Sequence, residues 1–175
     1  TLVMPTLRYS LGPKSIGALL SWVATGNHLV VATHGEYYTE DKKDILLDAL
    51  GISEINARVK GDYEIKHVNT AARKIPSVDV SGKGDLLQVD FDTLHRLTSK
   101  QATLWNVADS TGAYLVRVKH GNGRVTVMSD YGFMENYAIG KYDHAAFMAR
   151  VLDVRPGGAV WLVYSEDMPS LPQWL

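Results

Sequence analysis

A chain of 175 residues with a net charge of −1 carries no bulk attraction for nucleic acid or for an anionic membrane surface. Hydrophobic residues make up 46% and charged residues 21%, which supports a sizeable core and excludes an intrinsically disordered chain. There is no cysteine, so disulfides, thiolate metal sites and cysteine nucleophiles are all excluded.

No apolar run reaches the ~20 residues of a membrane-spanning helix. The opening Thr1-Leu-Val-Met-Pro5 lacks the basic start of a signal peptide and reads as a strand entered without lead-in. That is the expectation for a piece excised from a longer protein. Leu2 to Met4 form a short apolar run closed by Pro5, the pattern of a buried strand. Gly12-Pro13 places proline at a helix start, and Ile16, Leu19, Leu20 and Val23 recur at helical spacing. Gly26-Asn27 stops that helix. His28-Leu-Val-Val-Ala32 follows at once as a strand of the kind covered on both faces. Strand, helix and strand within about 32 residues make a βαβ unit.

Beyond the polar loop from Thr33 to Thr39, Ile45, Leu46, Ala49 and Leu50 mark a second helix, with Asp41 in its first turn and Gly51 as its stop. Between Tyr63 and Trp105 the pattern changes to short runs separated by turn residues: 63–66, 86–91 and 103–105, with Ser81-Gly-Lys-Gly84 among the turns. These read as strands inserted around the main sheet. Ala113 to Val118 and Arg124 to Met128 flank His120-Gly-Asn-Gly123, where Asn-Gly signals a hairpin. A helix is expected over 143–153, and Ala159 to Tyr164 as a final buried strand. The expected architecture is α/β: one domain over 1–175 with an open, mainly parallel sheet of flavodoxin-like or Rossmann-like type. Helices cover both faces and an antiparallel hairpin region is inserted.

In open α/β sheets ligands bind beyond the carboxyl ends of the strands. Three such ends are 32–36, 128–132 and 164–167, which gather His34, Glu36, Ser129, Asp130, Ser165, Glu166 and Asp167 at one edge. Asn136, Asp143 and His144 follow the second end. Each also has a plain structural reading, since Ser and Asp at strand ends bond their own backbone and Asp143 stands where a helix N-cap belongs. A Ser-His-Asp arrangement would use Ser129 as nucleophile, His144 as base and Asp130 or Asp143 as orienter. Its context is poor: Val127-Met-Ser-Asp-Tyr131 is not a nucleophile elbow, and Asp143 adjoins His144 in sequence. No histidine pair has a metal-ligand spacing, so no metal is expected, and neither Gly-Lys-Gly84 nor Gly-Asn-Gly123 opens a helix as a phosphate cradle must. No cofactor is expected.

Leu19-Leu-Ser-Trp-Val-Ala-Thr-Gly-Asn-His-Leu-Val-Val31, Leu46-Leu-Asp-Ala-Leu-Gly-Ile52, Gly123-Arg-Val-Thr-Val-Met-Ser-Asp130, Asn136, Ile139-Gly140, Asp143-His-Ala145, Val160-Trp-Leu-Val-Tyr164, Pro169-Ser-Leu171 and Trp174-Leu175 occur in that order. Together they resemble an uncharacterised bacterial family, the domain of unknown function 4350, with a class I glutamine amidotransferase-like fold. The resemblance covers the two ends of the chain and leaves 53–110 unaccounted for. It implies a soluble, extracytoplasmic domain of a membrane-tethered protein, cut before a second span and working beside a MoxR-type ATPase system. It cannot carry over glutaminase chemistry, because the cysteine that chemistry needs is absent. The expectation that follows is a non-enzymatic binding or scaffolding domain with a ligand face at His34, Asp130, Asn136 and Asp143. The alternative is a hydrolase with an atypical Ser129/His144 site at the strand ends.

Overall fold

A computed structural model describes residues 1–5, 8, 11–33, 44–56, 75, 77–81, 84–91 and 95–164. The described elements run β1 (Leu2–Met4), α1 (Pro13–Ala24), β2 (His28–Ala32), α2 (Ile45–Leu50), β3 (Ile52–Asn56), β4 (Ser77–Asp79), β5 (Leu86–Gln88), β6 (His95–Ser99), β7 (Thr103–Asp109), β8 (Gly112–His120), β9 (Gly123–Met128), α3 (His144–Leu152) and β10 (Trp161–Leu162). A 3-10 turn at Gly132–Met134 lies between β9 and α3.

Eight strands form one open, mixed sheet in the order β10-β1-β2-β9-β8-β6-β3, with β7 also paired to β8. The pairings β10–β1, β1–β2 and β2–β9 are parallel, and those on the β8 side are antiparallel. Four parallel strands therefore sit beside an antiparallel half, so the sheet is mixed rather than mainly parallel. No helix among the described residues is long and apolar enough to cross a membrane.

Alternation along β2 and β9 divides the core into two faces. Leu29, Val31, Val125 and Val127 point to the face covered by α1 and α2, where they meet Ile16, Leu19, Val23, Leu46 and Leu50. Val30, Ala32 and Met128 point to the other face, against Phe91, Phe133 and the α3 residues Phe147 and Val151. There Phe91 stacks on Tyr114 at 4.5 Å and meets Phe133 and Phe147 edge-on. All five residues of β2 are buried, because the strand has helices on both sides.

Several boundaries differ from the sequence reading, each for a local reason. The second helix begins at Ile45 because Asp44 caps it, its Oδ1 accepting from the N–H groups of Leu46 and Leu47 at 3.0 and 3.2 Å. The hairpin turn is Gly121-Asn122, with Gly121 at φ +59° and His120 paired to Gly123, so Gly121 rather than Gly123 supplies the positive φ. The run 86–91 contributes only β5, which pairs with β4 in a separate two-stranded sheet. The run 63–66 lies outside the described residues. The final strand is not buried: Trp161 and Leu162 pair with β1 at the sheet edge and remain 59% and 48% exposed.

Candidate functional site

The chain leaves β2 for α2 on one face of the sheet and leaves β9 for α3 on the opposite face. These two strands are neighbours, so their carboxyl ends border the crevice that forms where connections diverge. Sequence order and sheet order together thus single out the end of β2 and the end of β9.

Both ends are tied together beyond the last paired residues. The Thr33 N–H donates to Met128 O at 2.8 Å and its Oγ1 donates to Ser129 O at 3.1 Å. The Ser129 N–H donates to Tyr114 O at 2.8 Å, which fixes this residue against β8. Its side chain is the exception: Ser129 is 3% exposed, yet Oγ has no hydrogen-bond partner among the described residues.

Arg8 braces the same end. Its Nη1 donates to Ala32 O at 2.8 Å and its Nη2 donates to Asp44 Oδ2 at 2.5 Å. Ala32 is paired with Met128, so Arg8 and Ser129 stand at one end of the same two strands. Asp44 spends one carboxylate oxygen on the α2 N-terminus and the other on Arg8, and both side chains are buried. Arg8 Nε is also buried and has no acceptor among the described residues. The end of the sheet therefore holds a charge-balanced Arg8–Asp44 pair and two polar atoms, Ser129 Oγ and Arg8 Nε, without partners among the described residues.

The residues expected at the site fall into four groups. Ser129 and Asp130 lie at the crevice, where Asp130 Oδ1 accepts from the Gly132 N–H at 2.9 Å and closes a tight turn. His144 and Asp143 instead hold the β4–β5 hairpin. Asp143 Oδ2 accepts from the Gln88 N–H at 2.8 Å, and the Asp143 N–H donates to Gln88 O at 3.0 Å. His144 Nε2 accepts from the Asp90 N–H at 2.9 Å, which leaves Nδ1 as the protonated nitrogen, donating to Ala138 O at 2.8 Å. Both imidazole nitrogens are thus engaged by backbone, and the Ser129–His144 hydrogen bond that a catalytic pair requires is not made. Asn136 is exposed in the turn before α3. His34, Glu36, Ser165, Glu166 and Asp167 lie outside the described residues.

Sequence reasoning missed Arg8 and Asp44. Asp44 was detectable as the residue directly before an apolar helical run, the N-cap position. Nothing local marked Arg8, whose partners are 24 and 36 residues away. Among the described residues, no group of three or more His, Asp or Glu side chains could hold a metal ion.

Among solved structures the chain is similar to the exo-beta-1,4-mannosidase Op5Man5 from Opitutaceae bacterium strain TAV5, at 12% identity and a TM-score of 0.45, over 99% of this chain and 24% of that one. It is similar to a beta-galactosidase from Bacillus circulans sp. alkalophilus, at 15% identity and a TM-score of 0.46, over 87% of this chain and 22% of that one. A catalytic mutant of Gan42B, a GH42 beta-galactosidase from G. stearothermophilus, gives 15% identity and a TM-score of 0.44, over 89% and 22%. The solved chains named here are glycosidases, and the expectation of a non-enzymatic binding or scaffolding domain is not carried further. The chain spans less than a quarter of their length, and their substrates remain statements about those enzymes. No curated protein matches the chain. The family model described as domain of unknown function (DUF4350) matches residues 1–152, and the chain belongs to that family.

Proposed function

We propose that this chain is a hydrolase domain whose reacting group is the Ser129 hydroxyl in the β2–β9 crevice. One observation carries the reading: a serine at the carboxyl end of a parallel strand, 3% exposed, with Oγ unpartnered among the described residues. Buried hydroxyls are almost always hydrogen-bonded, and leaving one unmade costs ~1–3 kcal/mol. An alanine would occupy the position without that cost, which favours a chemical role for the hydroxyl over a packing one.

In this reading Ser129 Oγ bonds to the carbonyl carbon of an acyl substrate while its proton passes to a base. The leaving group departs protonated, and water then releases the acid and restores the serine. His144 is committed to Ala138 and Asp90 and is not that base. We assign the role to His34, which follows in sequence the Thr33 that is bonded to Ser129. The resemblance supplies the setting for the same proposal: an amidotransferase-like, extracytoplasmic domain of a membrane-tethered protein beside a MoxR-type ATPase system.

The test is hydrolysis of chromogenic esters, thioesters and amides by wild type and by Ser129→Ala, His34→Ala and His144→Ala. Turnover by wild type that falls about 100-fold or more in the first two variants supports the assignment. Activity surviving in Ser129→Ala, or no turnover by wild type across the three classes, overturns it.

A further inference from the structure

At the opposite end of the parallel strands from Ser129 lies a cavity of about 120 Å³. The turn after α1 bounds it through Asn27, the start of β2 through His28, the start of β9 through Arg124, and the stretch after α3 through Asp153 and Arg155. Two guanidiniums converge on one carboxylate there. Arg124 Nη2 lies 2.6 Å from Asp153 Oδ2, and Arg117 Nη1 lies 3.6 Å from the same oxygen. Arg155 lines the cavity as well and has no side-chain partner among the described residues. Two guanidinium charges, those of Arg124 and Arg117, therefore face one carboxylate, and Arg155 adds a third basic residue to the lining.

The arrangement is electropositive and incompletely bonded. Arg124 Nε is buried and without an acceptor among the described residues. The neighbouring groups feel the excess charge. Burial, followed by the charges of Arg117 and Arg124, lowers His28 to about 3. Burial lowers Arg117 to about 10, opposed by Asp153 and assisted by Arg124. Asn27 and His28 do not offset the positive charge: Asn27 Nδ2 donates to Trp22 O at 2.9 Å and His28 Nε2 pairs with Thr126 Oγ1 at 2.8 Å. An oxyanion meets this deficit of negative charge and of acceptors better than water does, because charge-assisted bonds to guanidinium are the stronger kind.

We propose that this cavity is a binding site for a small oxyanion of the phosphate type, held by Arg124 and Arg155. The site is separate from the β2–β9 crevice and does not depend on the hydrolase reading. An ion seated there would neutralise the surplus on the β2–β9–α3 junction and fix the stretch after α3.

The test is a titration of the folded chain with inorganic phosphate against sodium chloride at matched ionic strength, followed by calorimetry and by the His28 ring resonances. Saturable phosphate binding is expected, weakened about tenfold or more by Arg155→Gln, whose side chain has no partner to lose among the described residues. Arg124→Gln should weaken it further, and its fold is checked separately by its amide spectrum. Phosphate should also raise the pH at which His28 titrates in wild type, a readout that a purely structural role for Arg155 would not move. Equal responses to phosphate and chloride, an adventitious ion only, would overturn the site, as would unchanged affinity in Arg155→Gln.

Discussion

Arg8 and Asp44 are buried together, and their energetics rest on mutual satisfaction more than on attraction. Removing two ions from water costs several kcal/mol each, which the pair recovers only with both partners present and hydrogen-bonded. Asp44→Ala removes the α2 cap and leaves the Arg8 charge, among the described residues, with Ala32 O alone. We expect a loss of about 4 kcal/mol in urea unfolding, from the ~3–5 kcal/mol of a broken buried pair. Asp44→Asn keeps an oxygen for the cap and should fall between Asp44→Ala and wild type.

His28 gives the fold an acid sensitivity with a definite sign. Its folded pKa is lowered to about 3 by burial and by Arg117 and Arg124. The unfolded chain takes up its proton near ~6.5 while the folded chain does not. Stability from this residue is therefore present above ~6.5 and is lost as pH falls toward 3, by about 2 kcal/mol between pH 7 and pH 5. Urea midpoints measured across that range should show the decline, and His28→Gln should flatten it. A wild-type midpoint that does not change from pH 7 to pH 5 would contradict the buried neutral imidazole.

At the scale of elements, the β8–β9 hairpin packs its turn against the end of α1. A Cβ on Gly123 would stand 2.0 Å from Val23 O and 2.3 Å from Asn27 O, both backbone atoms that cannot step aside alone. Gly123→Ala should destabilise by about 3 kcal/mol or more, the upper end of overpacking costs, as read from its thermal midpoint. A midpoint within the error of wild type would mean the α1–β9 junction has slack that the packing does not show. At the far edge, β10 leaves Val160, Trp161 and Leu162 44%, 59% and 48% exposed. Apolar edge strands template association, so Leu162→Lys should reduce concentration-dependent self-association in light scattering. The βαβ opening and the β8–β9 hairpin were legible because their periodicity, proline and glycine signals are local. The burial of the last strand was misread because Val160-Trp-Leu-Val163 has the composition of a core strand, and only sheet order reveals that it stands at the edge among the described strands.

For the whole molecule, the mixed sheet places two chemically different ends on one scaffold. The carboxyl ends of β2 and β9 hold Ser129 beside the Arg8–Asp44 brace, and the amino ends hold the Arg124–Asp153 cluster. Sequence order alone led to Ser129 and Asp130, because a strand end is visible as the point where an apolar run turns polar. It also drew in Asp143 and His144, which are close in sequence but serve the β4–β5 hairpin through Gln88 and Asp90. That commitment depends on contacts 54 and 55 residues apart, beyond the reach of any local pattern. His144→Ala should accordingly lower stability by about 2–3 kcal/mol, from two buried backbone groups losing their partners, while leaving Ser129 chemistry intact in the folded fraction.

The most direct test of the central claim is intact-mass and peptide mapping after exposure to a serine-reactive organophosphonate, for wild type, Ser129→Ala and His144→Ala. The account predicts one adduct on wild type at Ser129, none on Ser129→Ala, and undiminished labelling of folded His144→Ala. No adduct on folded wild type, or an adduct that maps elsewhere and persists in Ser129→Ala, would contradict it.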